Sequence, residues 1–432
     1  MSQLISNLEK VGANLPTELL ELLSSCKSYT VYDTVEQLAV AALGGAENNT
    51  FEVKYDIPGK GEYTEAIVHR VSNGVSANYT DPYLRRRDPE TMVIADELPT
   101  DKETFKSRFG HGFSDLKAET FEWLKGQDLA VFLYFAGREN IGVGGIAVCP
   151  ANAGFFAMGL AMLQVMIPTT DIPANFAIDS IIYVAPTFRH THFDGKQIVV
   201  HNRTTTRHEI FSYNLYPGPS AKKGLYGALL TKGEKEGWIT AHCSTVQAVS
   251  PYEGASGGGK SEMLQHILRE QNGQIKIGAN SVTGEERLIN LPLFSSFRPV
   301  TDDMAICHPS LQTNNGKLRV LDAENAWFIR VDGVKEYGDD PFLEKITIKP
   351  PKPLLFLNIK SNPDSTVLIW DHIEDAPGKP CPNPRVILPR EIVPNVIGHA
   401  VSVDIRSFGV RTPPSSAENP NYGILGMFHL LP

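Results

Sequence analysis

Hydrophobic residues near the start of the chain recur three and four apart. Over Leu15–Ser25 and Asp33–Leu43 this spacing predicts two amphipathic helices. Thr50–Tyr55 and Glu65–Val71 alternate apolar and polar residues, the period of strands with one buried face. Asp81–Pro89 is rich in turn formers and carries Arg85, Arg86 and Arg87 in a row. Helical spacing returns over Ser114–Lys125. Leu129–Phe135 is short and wholly apolar, as a buried strand is, and Ala151–Met166 reads as a helix. Phe176–Val184 and Gln197–Val200 read as strands. From Phe211 the texture changes: Gly, Pro and Lys cluster at Pro217–Gly224, and short apolar runs then alternate with glycine loops. A boundary is therefore expected near residue 205, giving domains 1–205 and 206–432. Further on, Leu354–Ile359 and Val367–Trp370 are strand-like, and Pro377–Pro389 reads as a proline-rich loop.

At 432 residues, two lobes are more natural than one core. Net charge is −9, which argues against a general nucleic-acid binder and leaves room for a small anionic substrate held by local Lys and Arg residues. The five cysteines are scattered and lack C-x-x-C spacing, so a reduced cytoplasmic setting is expected. Met1–Asn14 has no basic start followed by an apolar core, so no signal peptide is expected. The longest apolar run, Gly154–Pro168, is too short to span a bilayer and reads as a buried helix. No membrane partner is expected.

Chemistry concentrates in the second half. Gly254, Ala255, Ser256, Gly257, Gly258, Gly259, Lys260 and Ser261 spell G-x-x-x-x-G-K-[ST]. Glycines let backbone N–H groups turn inward around phosphate oxygens. Lys260 supplies a point charge to the β and γ phosphates, and the Ser261 hydroxyl suits Mg2+. Thr245–Val249 reads as a strand before the loop. Ser261–Glu270 reads as a helix after it, whose N-terminus would face the phosphates. A flexible glycine linker would share the composition, but not the closing Lys-Ser or the helix.

Lys222-Lys223-Gly224 and His242-Cys243-Ser244 precede the loop, and Thr301-Asp302-Asp303 follows it. Each alone has an ordinary reading: a solvated lysine pair, a satisfied histidine, a turn or helix cap. Their order, however, resembles the phosphoenolpyruvate carboxykinase family, especially its ATP-dependent branch. That family carries Tyr-x-Gly leading into Lys-Lys-Gly, matched by Tyr216-Pro217-Gly218 and Lys222-Lys223-Gly224. It carries His-Cys-Ser, the phosphate loop and an Asp-Asp pair, matched at His242, Gly254–Ser261 and Asp302-Asp303. Its Asn-x-Arg-Val-x-x-Pro is matched by Asn383–Pro389, and its Arg-x-Pro loosely by Arg87-Asp88-Pro89.

The resemblance implies a two-lobed α/β fold with a mixed-sheet N-terminal domain and a P-loop domain. It implies Mn2+ held by Lys223, His242 and Asp303, and Mg2+ at Ser261 with Asp302 behind it. Lys260 and Arg385 would neutralise the transferring phosphate of ATP. Arg87 would grip a substrate carboxylate, and Ser256 would touch substrate or phosphate. The implied reaction converts oxaloacetate and ATP to phosphoenolpyruvate, ADP and CO2. Family members continue past the segment resembling Phe408–Pro432 and there supply much of the adenine pocket, so a C-terminal continuation is expected. Arg87 lies in Arg-Arg-Asp-Pro, where the family has Gly-Arg-Ser-Pro. The alternatives are a phosphotransferase with another small acceptor and a non-catalytic nucleotide-binding protein. Oligomeric state stays open.

Overall fold

The computed structural model of the chain describes residues 3–88, 90–100, 102–138, 141–241, 245–249, 256–257, 274–279, 283, 285–290, 296–403, 407–408 and 428–429. The fold is mixed α/β with several sheets. The chain forms two compact units, one of Met1–Leu229 with Asn325–Ile392 and one of Leu230–Glu324 with Val393–Pro432.

The first unit holds two mixed sheets. Its eight-stranded sheet runs in the order Ser28–Val31, Asp128–Arg138, Ile141–Pro150, Ser180–Val184, His208–Ser212, Val199–Arg203, Met92–Ile94, with Val165–Ile167 also on Asp128–Arg138. Its six-stranded sheet runs Thr50–Ile57, Gly61–Val71, Gly74–Tyr79, Leu354–Leu357, Arg385–Pro389, Ala326–Arg330. Neighbours in the second sheet are antiparallel, except Gly74–Tyr79 with Leu354–Leu357. Residue 205 falls in the tight turn joining Val199–Arg203 to His208–Ser212, which pair with each other inside this unit.

The helix Gly154–Leu163 is buried along its whole length and touches strands of both sheets, as its all-round apolar sequence requires. At Gly159 a Cβ would lie 3.1 Å from Leu355 and 3.2 Å from Ile387, so the helix lies close on the second sheet. Among the described residues, no helix is long and apolar enough to cross a membrane.

Local pattern explains most elements. Ser114–Lys125 is a helix that buries Leu116, Thr120 and Leu124 at i, i+4 and i+8. The early helices form over Thr17–Ser25 and Val35–Ala41; the second starts on a capping box in which the Thr34 side chain and Gln37 bond reciprocally. The two stretches expected as strands lie in Thr50–Ile57 and Gly61–Val71, which pair as an antiparallel hairpin. Two expectations are corrected. Val367–Trp370 is not a strand, because the Asn73 side chain takes its backbone bonds: Val367 N–H donates to Asn73 Oδ1 at 2.9 Å, and Asn73 Nδ2 donates to Val367 O at 2.9 Å. Pro377–Pro389 is not all loop. Its apolar Val386-Ile387-Leu388 forms a fully buried interior strand, with prolines at the margins where they cost no ladder bond.

The second unit contains a four-stranded sheet in the order Ile239–Ala241, Ala305–Cys307, Leu318–Asp322, Val401–Val403. Thr245–Val249 pairs with Ser296–Thr301 and Ser256–Gly257. Val300, Ala305, Cys307, Val320, Ile397 and Val401 form its small core.

Candidate functional site

Arg385 begins an interior strand of the six-stranded sheet, opposite Leu357 on one side and Arg330 on the other. Its Nε donates to Asn383 Oδ1 at 2.8 Å and its Nη1 donates to the Phe328 carbonyl at 3.0 Å. The guanidinium carbon sits 4.9 Å from the Phe328 ring centroid, within cation–π range. Asn383 is buried, and its Nδ2 donates to the Tyr216 hydroxyl at 3.0 Å. One side-chain amide thus links Tyr216 to Arg385 and orients both. Tyr216 is also buried; its ring packs on Phe328 at 5.8 Å and edge-on to Tyr79 at 6.3 Å. Burial pushes the Tyr79 phenol well up, with Tyr216 and Glu65 adding to it, and its hydroxyl donates to Leu215 O at 2.7 Å.

The chain can pass this close to the rings because residue 218 is glycine. A Cβ there would lie 3.0 Å from the Tyr216 ring and 3.2 Å from Phe328. Gly218–Gly224 then winds as a π-helix, a form frequent at functional sites. It carries Lys222, buried, and Lys223, half-buried. Gln164 Nε2 donates to Ala221 O at 3.0 Å and anchors the segment.

The arginine-rich segment is stitched to the same place. Asp81 Oδ1 accepts from Tyr83 N–H and caps the short 3-10 turn Pro82–Arg85. Gln197 Nε2 donates to the carbonyls of Tyr83 and Arg86. The Cys381 thiol lies 3.8 Å from Arg85 O and accepts from Asn383 N–H at 3.5 Å. Burial pushes that thiol up to about 11, against the Asn383 N–H and the Arg85 charge, so it is a neutral partner. Arg85 is spent on the carbonyls of Tyr79, Thr80 and Glu374, and Arg86 on Asp375. Arg87 is exposed, with no hydrogen-bond or ion-pair partner among the described residues.

In the second unit, Asp302 and Asp303 follow the strand Ser296–Thr301 and are buried with Asp322 and Glu324. Asp303 N–H donates to Glu324 Oε2 at 2.9 Å, and Glu324 N–H donates to Asp322 Oδ1 at 3.1 Å. Ser256 and Gly257 form a short strand with Gln247 and Val246. His242, Gly254, Ala255, Gly258, Gly259, Lys260 and Ser261 lie outside the described residues, as does the helix expected over Ser261–Glu270. Among the described residues no group of three His, Cys, Asp or Glu side chains is arranged to hold a metal ion.

The structure thus joins the motif segments of Tyr216, Asn383, Arg385 and Arg87, with Lys222 and Lys223 on the continuation of one of them. Sequence reasoning missed Phe328 and Arg330. Their strand reads only as a short apolar run ending in arginine, which no motif flags.

A family model described as a domain of unknown function, DUF4914, matches residues 15–432, and the chain belongs to that family. No curated protein matches it.

Proposed function

We propose that this DUF4914 member is a divalent-metal-dependent phosphotransferase acting from ATP, with the carboxykinase reaction on oxaloacetate as its leading chemistry. One observation carries the reading. Asn383 Nδ2 meets the Tyr216 hydroxyl at 3.0 Å although 167 positions separate them, and the same amide orients Arg385. Motifs aligned only by order along the sequence are therefore neighbours in space, as a shared substrate site requires. Free Cys26, Cys149, Cys307 and Cys381 fit a reduced cytoplasmic setting.

In this reading the lobes correspond to a carboxykinase-like substrate domain and a P-loop domain. The backbone of Gly254–Ser261 cradles the triphosphate and Lys260 offsets its γ charge. Ser261, backed by Asp302, would hold Mg2+. Lys223, His242 and Asp303 offer an amine, an imidazole and a buried carboxylate, donors that suit Mn2+, which would stabilise enolate charge as a Lewis acid. Oxaloacetate loses CO2, the enolate oxygen attacks the γ phosphorus, and ADP leaves. Arg385, held in place by Asn383 and Phe328, neutralises oxygens of the transferring group. Its orientation is fixed before substrate arrives, so little reorganisation is needed.

The test is phosphoenolpyruvate formation from oxaloacetate, ATP, Mg2+ and Mn2+ by wild type and Arg385→Met. Removing one charge-stabilising donor should cost roughly 100-fold in turnover. Turnover unchanged in Arg385→Met would refute the role. A second reading, transfer to a different small acceptor, is favoured by the exposure of Arg87, which the carboxykinase reading would have at the substrate carboxylate. ATP binding without oxaloacetate turnover would select it.

A further inference from the structure

Arg330 stands directly opposite Arg385 in the antiparallel ladder. Directly opposed residues share a face, with Cβ atoms about 5 Å apart. Two guanidinium groups therefore arise at one end of the sheet face that carries Phe328 and meets Tyr216. A one-residue slip would send Arg330 to the other face, so the register, set by the buried Trp327 and Ile329 and their partners, fixes this adjacency. Like charges directly opposed weaken a sheet, which makes the pairing a poor choice on structural grounds alone.

Arg330 shows what it can do. It grips Asp332 through a two-point fork, with Nε donating to Oδ1 and Nη2 donating to Oδ2 at 2.9 Å. That is the geometry a guanidinium offers to any carboxylate. The two side chains are 23% and 33% exposed, and an ion pair so open to water contributes little. An incoming carboxylate can take the place of Asp332 with small loss.

We propose that Arg330 is a specificity-determining residue of the Arg385 site. It receives one carboxylate of a ligand whose other anionic group lies at Arg385, and Asp332 is the intramolecular stand-in that the ligand displaces. The inference rests on the proposed anion-binding role of Arg385. It adds a residue outside every motif that suggested that role, and it favours ligands with two anionic groups over those with one.

The test is isothermal titration of the full chain with malonate and with acetate. Wild type should prefer malonate. Arg330→Met should lose roughly tenfold on malonate and little on acetate, the worth of a charge-assisted fork. Arg330→Lys should recover only part, because an ammonium is a point charge without the fork. Asp332→Asn should strengthen malonate binding several-fold, because it removes the competitor. A merely structural ion pair would make Asp332→Asn and Arg330→Met weaken binding alike, which would overturn the proposal, as would an unchanged malonate affinity in Arg330→Met. Arg385→Met separates the two readings. If it abolishes malonate binding while Arg330→Met does not, only the present inference fails. If it changes nothing, or wild type binds no malonate, the Arg385 reading fails as well. Unfolding midpoints of each variant identify any loss caused by misfolding.

Discussion

Arg189→Met attacks the buried ion network of the first unit. Arg189 lies in the short helix Phe188–His192 and has no exposed surface. Its Nη2 donates to both Glu65 oxygens at 3.2 and 3.0 Å; its Nη1 donates to Asp81 Oδ2 at 2.7 Å and to Gly195 O at 2.8 Å. His190 Nε2 lies 2.6 Å from Glu65 Oε1. Glu65, on the strand Gly61–Val71, is buried as well. Methionine keeps the aliphatic stem but leaves Glu65 with the imidazole alone. Breaking a buried pair from one side costs about 3–5 kcal/mol. Asp81 is partly exposed and screened, so its lost pair adds less than about 1 kcal/mol. The expected loss is about 4 kcal/mol. The first unit has roughly 300 residues, hence an unfolding entropy near 0.6 kcal/mol per kelvin, and its midpoint should fall by about 6 °C. Urea unfolding followed by tryptophan fluorescence reads the change, since Trp123 packs on Phe188 beside Arg189. Glu65→Gln combined with Arg189→Met should recover more than half of the loss, because no charge is then stranded. A single-variant loss below about 1 kcal/mol, or a double variant as costly as the sum, would refute the reasoning.

Other outcomes follow from the same structure. Burial alone would raise the carboxyls of Asp81 and Asp96, but Arg189 with the Tyr83 amide, and Arg203 with its own amide, carry both below the ordinary range. Stability from such groups is fully present above the unfolded value near 4 and is lost as pH falls through the folded values. The unfolding midpoint should therefore drop below about pH 4, and Asp96→Asn should flatten part of that drop; an identical acid slope would contradict this. Gly74→Ala would place Cβ 2.0 Å from the Leu354 carbonyl oxygen at φ +147°, and should cost about 3 kcal/mol or more in urea unfolding. Asn383→Ala strands the Tyr216 hydroxyl and Arg385 Nε, for about 2–4 kcal/mol. It should lower turnover while leaving the KM for ATP unchanged, and equal changes in both would point to general unfolding.

Elements whose pattern is local were legible in the sequence. Ser114–Lys125 shows its buried stripe outright, and the apolar run of Leu129–Phe135 sits inside the longer strand Asp128–Arg138. What failed depended on partners far along the chain. Ile141–Pro150 carries no pattern singled out above, yet it is a strand whose glycines make room in a packed sheet: a Cβ at Gly145 would lie 2.4 Å from the Tyr134 ring. Val367–Trp370 has the composition of a strand, but Asn73, almost 300 residues earlier, takes its bonds. The boundary expected at residue 205 rested on texture, whereas the first unit is completed by Asn325–Ile392. Of the candidate site, the motifs named Tyr216, Lys222, Lys223 and Arg385 without showing which would meet. Phe328 and Arg330 emerge only from strand register.

Single-turnover transfer from ATP labelled in its γ phosphate, with oxaloacetate, Mg2+ and Mn2+, tests the proposed chemistry most directly. The expected result is label in phosphoenolpyruvate with wild type and none with Lys260→Ala. Label found only in inorganic phosphate, or equal transfer by Lys260→Ala, would contradict it.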